Sequence, residues 1–278
     1  MNYSLLLFLL LFTFRLDAQI HYLPEDTVIF NRFLQYSKQG EQSLIHTAHF
    51  FINTPYIGGT LEGDEVERLR INMRELDCVT FVENVIALQL MLQSEKQTFD
   101  NFCEILQKIR YRNGVINGYP SRLHYFSEWL YNNRQKGIVS LPATTNCKNF
   151  EPELSYMSTH CDAYPALKNN PKLCNEIAEI EKNINNLINF CFIEKDKIKD
   201  SSEEIHNGDI IAITTHIKGL DIVHTGFALQ QNGKIYLLHA SSSSDAKKVI
   251  ISNEPLHDYL ARYENHSGVI IGRLTIYD

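Results

Sequence analysis

The stretch Asp77-Cys78-Val79-Thr80-Phe81-Val82-Glu83 sets a thiol at the start of a strongly apolar run. Aspartate readily accepts the unpaired amides of a helix's first turn, so Asp77 predicts a helix opening at Cys78. There the sulfur meets the positive end of the helix dipole, which favours thiolate and lowers the thiol pKa. The Cys78 amide is one of the donors without an intrahelical partner and could steady an oxyanion formed by attack on a carbonyl. One position thus offers a nucleophile and part of an oxyanion hole. A cysteine at a helix start is equally an ordinary core residue until a base is found.

Two histidines supply the candidate. Val223-His224-Thr225-Gly226-Phe227-Ala228-Leu229-Gln230 is followed by Gln231-Asn232-Gly233-Lys234 and Ile235-Tyr236-Leu237-Leu238-His239-Ala240. Asn-Gly between apolar runs predicts a two-residue type I′ hairpin turn pairing Gln231 with Lys234. Counting back puts Gly226 opposite His239 and makes His224 its diagonal neighbour on the same face, roughly 7–8 Å away at the backbone. That spacing suits a base, His224, whose ring is oriented by His239. A one-residue slip would send the two rings to opposite faces.

The elements that must position these groups change character along the chain. Apolar spacing of three and four predicts helices over residues 25–37, 41–52, 78–93, 99–111 and 122–133, with another near 174–188. Residues 140–171, with four prolines, read as irregular. The last third, from Asp209, is a series of short β-branched runs (209–215, 222–230, 234–240, 249–252 and 269–276) separated by turn residues, predicting an antiparallel sheet. Helices first and strands last give an α+β fold of one domain, with a helical and irregular insertion around 95–190. Of the 278 residues, 44% are hydrophobic, enough for a sizeable core, and a net charge of −7 removes the attraction that drives nucleic-acid binding.

The apolar run Leu5–Phe14 is shorter than the roughly 20 residues a spanning helix needs, and with Ala18 it reads as a secretory signal over residues 1–18. Export implies a periplasmic protein with no stable membrane span after cleavage, and an oxidising setting for its six cysteines. Cys78 must stay free. Cys103 reads as a small buried hydrophobe, and Cys161–Cys174 is the favoured bridge.

Pro55-Tyr56-Ile57-Gly58-Gly59, Asp77-Cys78, His224-Thr225-Gly226 and His239-Ala240-Ser241 together resemble the NlpC-type, papain-like cysteine cell-wall hydrolases. Val79-Thr80 stands where that superfamily usually has Ser-Gly. This departure, together with Arg112-Asn113-Gly114, Gly118–Tyr125 and Gly219-Leu220-Asp221, is similar to one branch, the N-acetylmuramoyl-L-alanine amidase-like proteins. The resemblance implies cleavage of the amide between (1,6-anhydro-)N-acetylmuramic acid and L-alanine in peptidoglycan fragments, through a thioester and without a cofactor. It implies Cys78 as nucleophile, His224 as base and His239 as orienter. Tyr56 would assist the oxyanion or wall the site. Asp77, Thr80, Arg122, His124 and Tyr125 are the implied substrate contacts, with Trp129 a further sugar platform. Three other readings stand beside it: a γ-D-glutamyl stem-peptide endopeptidase of the same fold, a zinc amidase using His46 and His49, and a non-catalytic wall-binding module.

Overall fold

The computed structural model describes residues 20–63 and 66–275; the segment read as a secretory signal lies outside them. Five helices come first: α1 (Pro24–Tyr36), α2 (Leu44–His49), α3 (Cys78–Gln93), α4 (Phe99–Arg110) and α5 (Phe126–Gln135). Strands β1 (Val139–Ser140) and β2 (Cys147–Phe150) follow, then α6 (Tyr156–Thr159), α7 (Pro171–Leu187) and β3 (Phe190–Glu194). The last third forms β4 (Ile210–Thr215), β5 (Ile222–Gln231), β6 (Lys234–Ser241), β7 (Lys248–Ile251), α8 (Leu256–Ala261) and β8 (His266–Leu274). The strands run antiparallel in the order β2-β3-β8-β4-β5-β6-β7, with β1 added to β8. The architecture is α+β.

Alternation along the strands divides the core into two. Ile210, Ala212, Phe227, Leu229, Leu238, Ala240 and Ile270 face the helical layer. Ile211, Ile213, Ala228, Leu237, Val269 and Ile271 face the other way and are covered by Leu256 and Leu260 of α8. Helix α3 lies in the first layer, and every residue from Thr80 to Gln89 is buried. A helix buried on every side is a core helix, and its few polar side chains must find partners there. It is tied to α4 by a buried ion pair, Arg110 Nε to Glu83 Oε2 at 2.7 Å.

The structure redraws three expectations. Helix α5 opens at Phe126 rather than residue 122, because Leu123 donates its amide to the Arg110 carbonyl at 3.0 Å and Arg122 bridges Tyr111 in extended form. Residues 140–171 are not wholly irregular: β2 pairs with β3, joined by a Cys147–Cys191 disulfide that local spacing did not indicate. Helix α2 is a short Leu44–His49 segment capped by Ser43. The Cys161–Cys174 bridge is present, while Cys78 and Cys103 are free and Cys103 is buried. No helix among the described residues is long and apolar enough to cross a membrane.

Candidate active site

Asp77 caps α3 as its residue type predicts. Its carboxylate accepts the Thr80 amide at 2.8 Å, and the Thr80 hydroxyl oxygen accepts the Asp77 amide at 2.9 Å. This reciprocal box fixes the first turn and so the direction of the Cys78 side chain. The amides of Thr225 in β5, Val79 and Cys78 itself favour the charged form of the sulfur. Thr225 is available because the β5–β6 ladder ends at Phe227 and Leu238. The thiol therefore sits where the two strands part, on the same cavity as His224 and Thr225.

The expected fall in thiol pKa is overturned. Burial, with the Asp77 carboxylate adding to it, pushes the Cys78 thiol up to about 12, and the three amides only partly offset this. Donors at the first turn favour the thiolate, and the loss of water around the sulfur outweighs them.

The hairpin register is as read: Gln231 pairs with Lys234, and Asn232 and Gly233 both take positive φ. His224 and His239 meet at 2.6 Å, Nε2 to Nδ1, with the rings perpendicular. Burial, reinforced by His239 and His266, holds the His224 pKa well below 6.5; burial alone brings His239 to about 4. Both rings are neutral at pH 7. Gly226 makes the contact possible, since a Cβ there would stand 2.6 Å from the Leu238 carbonyl oxygen and 2.9 Å from the His239 Cβ.

Tyr56 lies half-buried within electrostatic reach of Cys78 and Asp77, hydrogen-bonded to Ser242, with its phenol pushed up to about 12 mainly by burial. Thr80 is buried and its hydroxyl belongs to the cap. Arg122 is buried as well. Its guanidinium pairs with Glu62 at 2.5 Å and Glu67 at 3.6 Å, lies over the Tyr119 ring and donates to the Leu61 carbonyl. It ties down Leu61, Glu62 and Glu67 and has no free charge for a substrate carboxylate. The ring of Tyr125 borders the cavity beside Cys78, while its hydroxyl donates to Glu181 at 2.6 Å. Trp129 is fully buried, stacked on Phe126, and belongs to the core. His46 stacks on Tyr36. Among the described residues, no group of three His, Cys, Asp or Glu side chains is placed to hold a metal ion.

Two cavities meet at His224. One, of about 230 Å³, is bordered by Cys78 and by His124, Tyr125, Phe126, Met157 and Tyr164. The other, of about 550 Å³, is lined by Ser241–Ser244, His239, Tyr259, Arg262 and His266. Sequence reasoning missed Tyr259, whose ring centroid lies 5.4 Å from that of His239 and 6.4 Å from that of His224. Beside Leu256 and Leu260 it reads as one more apolar helix position. It also missed Met157 and Tyr164, which stand in the stretch taken as irregular; the flanking cysteines were the available signal.

A thiol that shares a cavity with an imidazole, itself held by a second imidazole, is equipped for acyl transfer. The sequence model of the AmiA-like family, described as N-acetylmuramoyl-L-alanine amidase-like, matches residues 46–269. An N-acetylmuramoyl-L-alanine amidase from Bacteroides uniformis is 35% identical at a TM-score of 0.80, over 85% of this chain and 100% of the solved one. A Bacteroides fragilis protein provisionally named a xylanase is 38% identical at a TM-score of 0.74, over 82% and 99%. A Legionella pneumophila protein, 21% identical with a TM-score of 0.66 over 91% and 95%, shares the fold. No curated protein matches significantly. The chain belongs to the N-acetylmuramoyl-L-alanine amidase-like family.

Proposed function

We propose that this protein is a periplasmic cysteine amidase that cleaves the bond between N-acetylmuramic acid, in particular its 1,6-anhydro form, and L-alanine in peptidoglycan fragments. The observation that carries the reading is that Cys78 and His224 border one cavity, with His224 held by His239 at 2.6 Å. With His224 Nε2–H donating to His239 Nδ1, the lone pair on His224 Nδ1 is the one that receives the thiol proton. The resting pair is neutral, so proton transfer accompanies attack rather than preceding it. The sulfur adds to the lactyl carbonyl and the oxyanion forms beside the Cys78 amide and Tyr56. His224 then returns the proton to the departing alanine nitrogen, and water, activated by the same ring, hydrolyses the thioester.

A glycosidase would need two carboxylates flanking the scissile bond. The two that border the Cys78 cavity are engaged: Glu62 with Arg122, and Asp221 with the Ser127 amide at 2.8 Å. This favours amide over glycoside chemistry. The test is mass analysis of digests of defined muropeptides by the wild type and by Cys78→Ala. The amidase reading expects a free muramoyl sugar and an intact peptide from the wild type, and a loss of at least about a thousandfold in Cys78→Ala. A trimmed stem peptide would support the endopeptidase instead. Unimpaired cleavage by Cys78→Ala would remove the thiol from the mechanism.

A further inference from the structure

Part of the wall of the cavity beside Cys78 comes from outside the elements that carry the thiol and the histidines. It is built from Tyr125, which caps α5, and from Met157 and Tyr164, which stand on either side of Cys161. Helix α6 has four residues and the Cys161–Ala163 turn has three, too few to hold a fixed position alone. Their position must come from what they are fastened to, and that is α7.

Residues 174, 177, 181 and 184 share one face of α7 at spacings of three and four. Ile177 and Ile184 are buried there, and an apolar residue between them would complete an ordinary core stripe. Glu181 takes that place, only 2% exposed. Its Oε1 accepts from the Tyr125 hydroxyl at 2.6 Å and from the Ser158 amide at 3.1 Å. The Tyr125 hydroxyl oxygen in turn accepts the Met157 amide at 2.9 Å. One buried oxygen thus ties a phenol ring and two consecutive amides of the wall together. Two turns earlier on the same face, Cys174 is bonded to Cys161. Two turns from there in the other direction, past Glu181, Asn185 exchanges two hydrogen bonds with the backbone of Leu154. Residues 154–161 therefore run antiparallel to α7 and are pinned to it at both ends and in the middle.

We infer that Glu181 and the Cys161–Cys174 disulfide are positioning groups for the reaction. They hold Tyr125, Met157 and Tyr164 where the substrate needs them, so losing either one impairs binding and leaves the thiol and its histidines intact. The inference rests on the reading that the Cys78 cavity takes a peptidoglycan fragment. It gives one chain two opposite redox requirements: the nucleophile must be a thiol, and the pair thirteen residues apart must be a disulfide. A dithiol reductant breaks that S–S bond and itself closes to a disulfide. Two electrons and two protons pass to the protein, leaving two thiols, and no bond to Cys78 changes.

The test compares the wild type with Glu181→Leu, Glu181→Gln and the double variant Cys161→Ser/Cys174→Ser on a defined muropeptide, with and without dithiothreitol. Glu181→Leu is expected to raise KM by about tenfold or more with kcat within about threefold. Glu181→Gln, whose side-chain oxygen still accepts, is expected to stay near the wild type. Dithiothreitol should raise the wild-type KM by about fivefold or more and leave the already raised KM of the double variant unmoved. That comparison separates this bridge from Cys147–Cys191, which the double variant keeps. Thermal midpoints establish that each protein is folded at the assay temperature, and reduction of the wild type decides if Glu181→Leu is not. The inference is overturned if the folded Leu variant or the reduced wild type keeps its KM, if Gln is as poor as Leu, or if kcat takes the loss. A readout without turnover is the rate at which iodoacetamide labels Cys78 once the reductant is removed, followed by mass analysis of the Cys78 peptide. It should rise by about threefold or more in Glu181→Leu and on reduction, and an unchanged rate overturns the inference. Failure of the functional reading is separately visible, as a wild type that cleaves no muropeptide whatever the labelling shows.

Discussion

Replacing Gly226 by alanine should separate the contribution of strand spacing from that of the catalytic side chains, because it alters none of them. The new methyl would be placed 2.6 Å from the Leu238 oxygen, 2.9 Å from the His239 Cβ and 3.1 Å from Leu237 Cδ1. Two of these atoms are backbone or anchored directly to it, so relief requires β5 and β6 to move apart by several tenths of an ångström. Overpacking of this kind costs roughly 1–3 kcal/mol. At roughly 2–4 °C per kcal/mol for a chain of this size class, the melting midpoint should fall by about 2–12 °C. The same movement lengthens the 2.6 Å His224–His239 contact and tilts the base away from Cys78. A displaced base costs about 10–100-fold in kcat. Gly233→Ala is the matched control. Gly233 has φ +71° and nothing within 4 Å of a new Cβ, so only backbone strain of about 1 kcal/mol is added, far from the thiol. It should lose stability and keep turnover. Differential scanning calorimetry and a muropeptide hydrolysis assay read both quantities. A Gly226→Ala protein with wild-type midpoint and kcat would refute the argument that this glycine sets the dyad.

Three further outcomes are expected. A thiol raised from its ordinary 9.0 to about 12 holds about a thousandfold less thiolate near pH 7, so iodoacetamide should modify resting Cys78 far more slowly than free cysteine, with the rate still climbing above pH 9. Faster modification than free cysteine at pH 6–7 would reveal a standing thiolate–imidazolium pair. The acid limb of kcat/KM should lie below the usual histidine value, because His224 is held well below 6.5 and the unprotonated base survives to lower pH; a midpoint at 6.5 or above contradicts this. Arg110→Met should destabilise by roughly 3–5 kcal/mol by stranding Glu83 in the core, and adding Glu83→Leu should recover a substantial part; denaturant titration of the single and double variants checks it.

What the sequence revealed divides along the range of the forces involved. The Asn232-Gly233 turn set a register that carried His224 and His239 onto one face, because turn chemistry and side-chain alternation are local. Asp77 announced its helix for the same reason. The thiol's environment was not legible: its pKa depends on water excluded by β5 and by the helical layer, which no spacing near Cys78 encodes. Arg122 looked like a carboxylate ligand for substrate until Glu62 and Glu67, some sixty residues earlier, were found to occupy it. The β2–β3 pair and its disulfide join residues 44 positions apart, and Tyr259 reaches the histidines only through tertiary packing.

Strand β8 is the last of the described strands yet lies inside the sheet, between β3 and β4. Until it is in place, the β2–β3 ribbon and the β4–β7 ribbon have no shared hydrogen bonds and each presents an open edge. A ribosome that stops before residue 266 therefore releases two unjoined ribbons, a substrate for quality control. Assembly awaits β8, so a copy made only as far as β7 carries both histidines on a ribbon that is not yet part of a finished sheet.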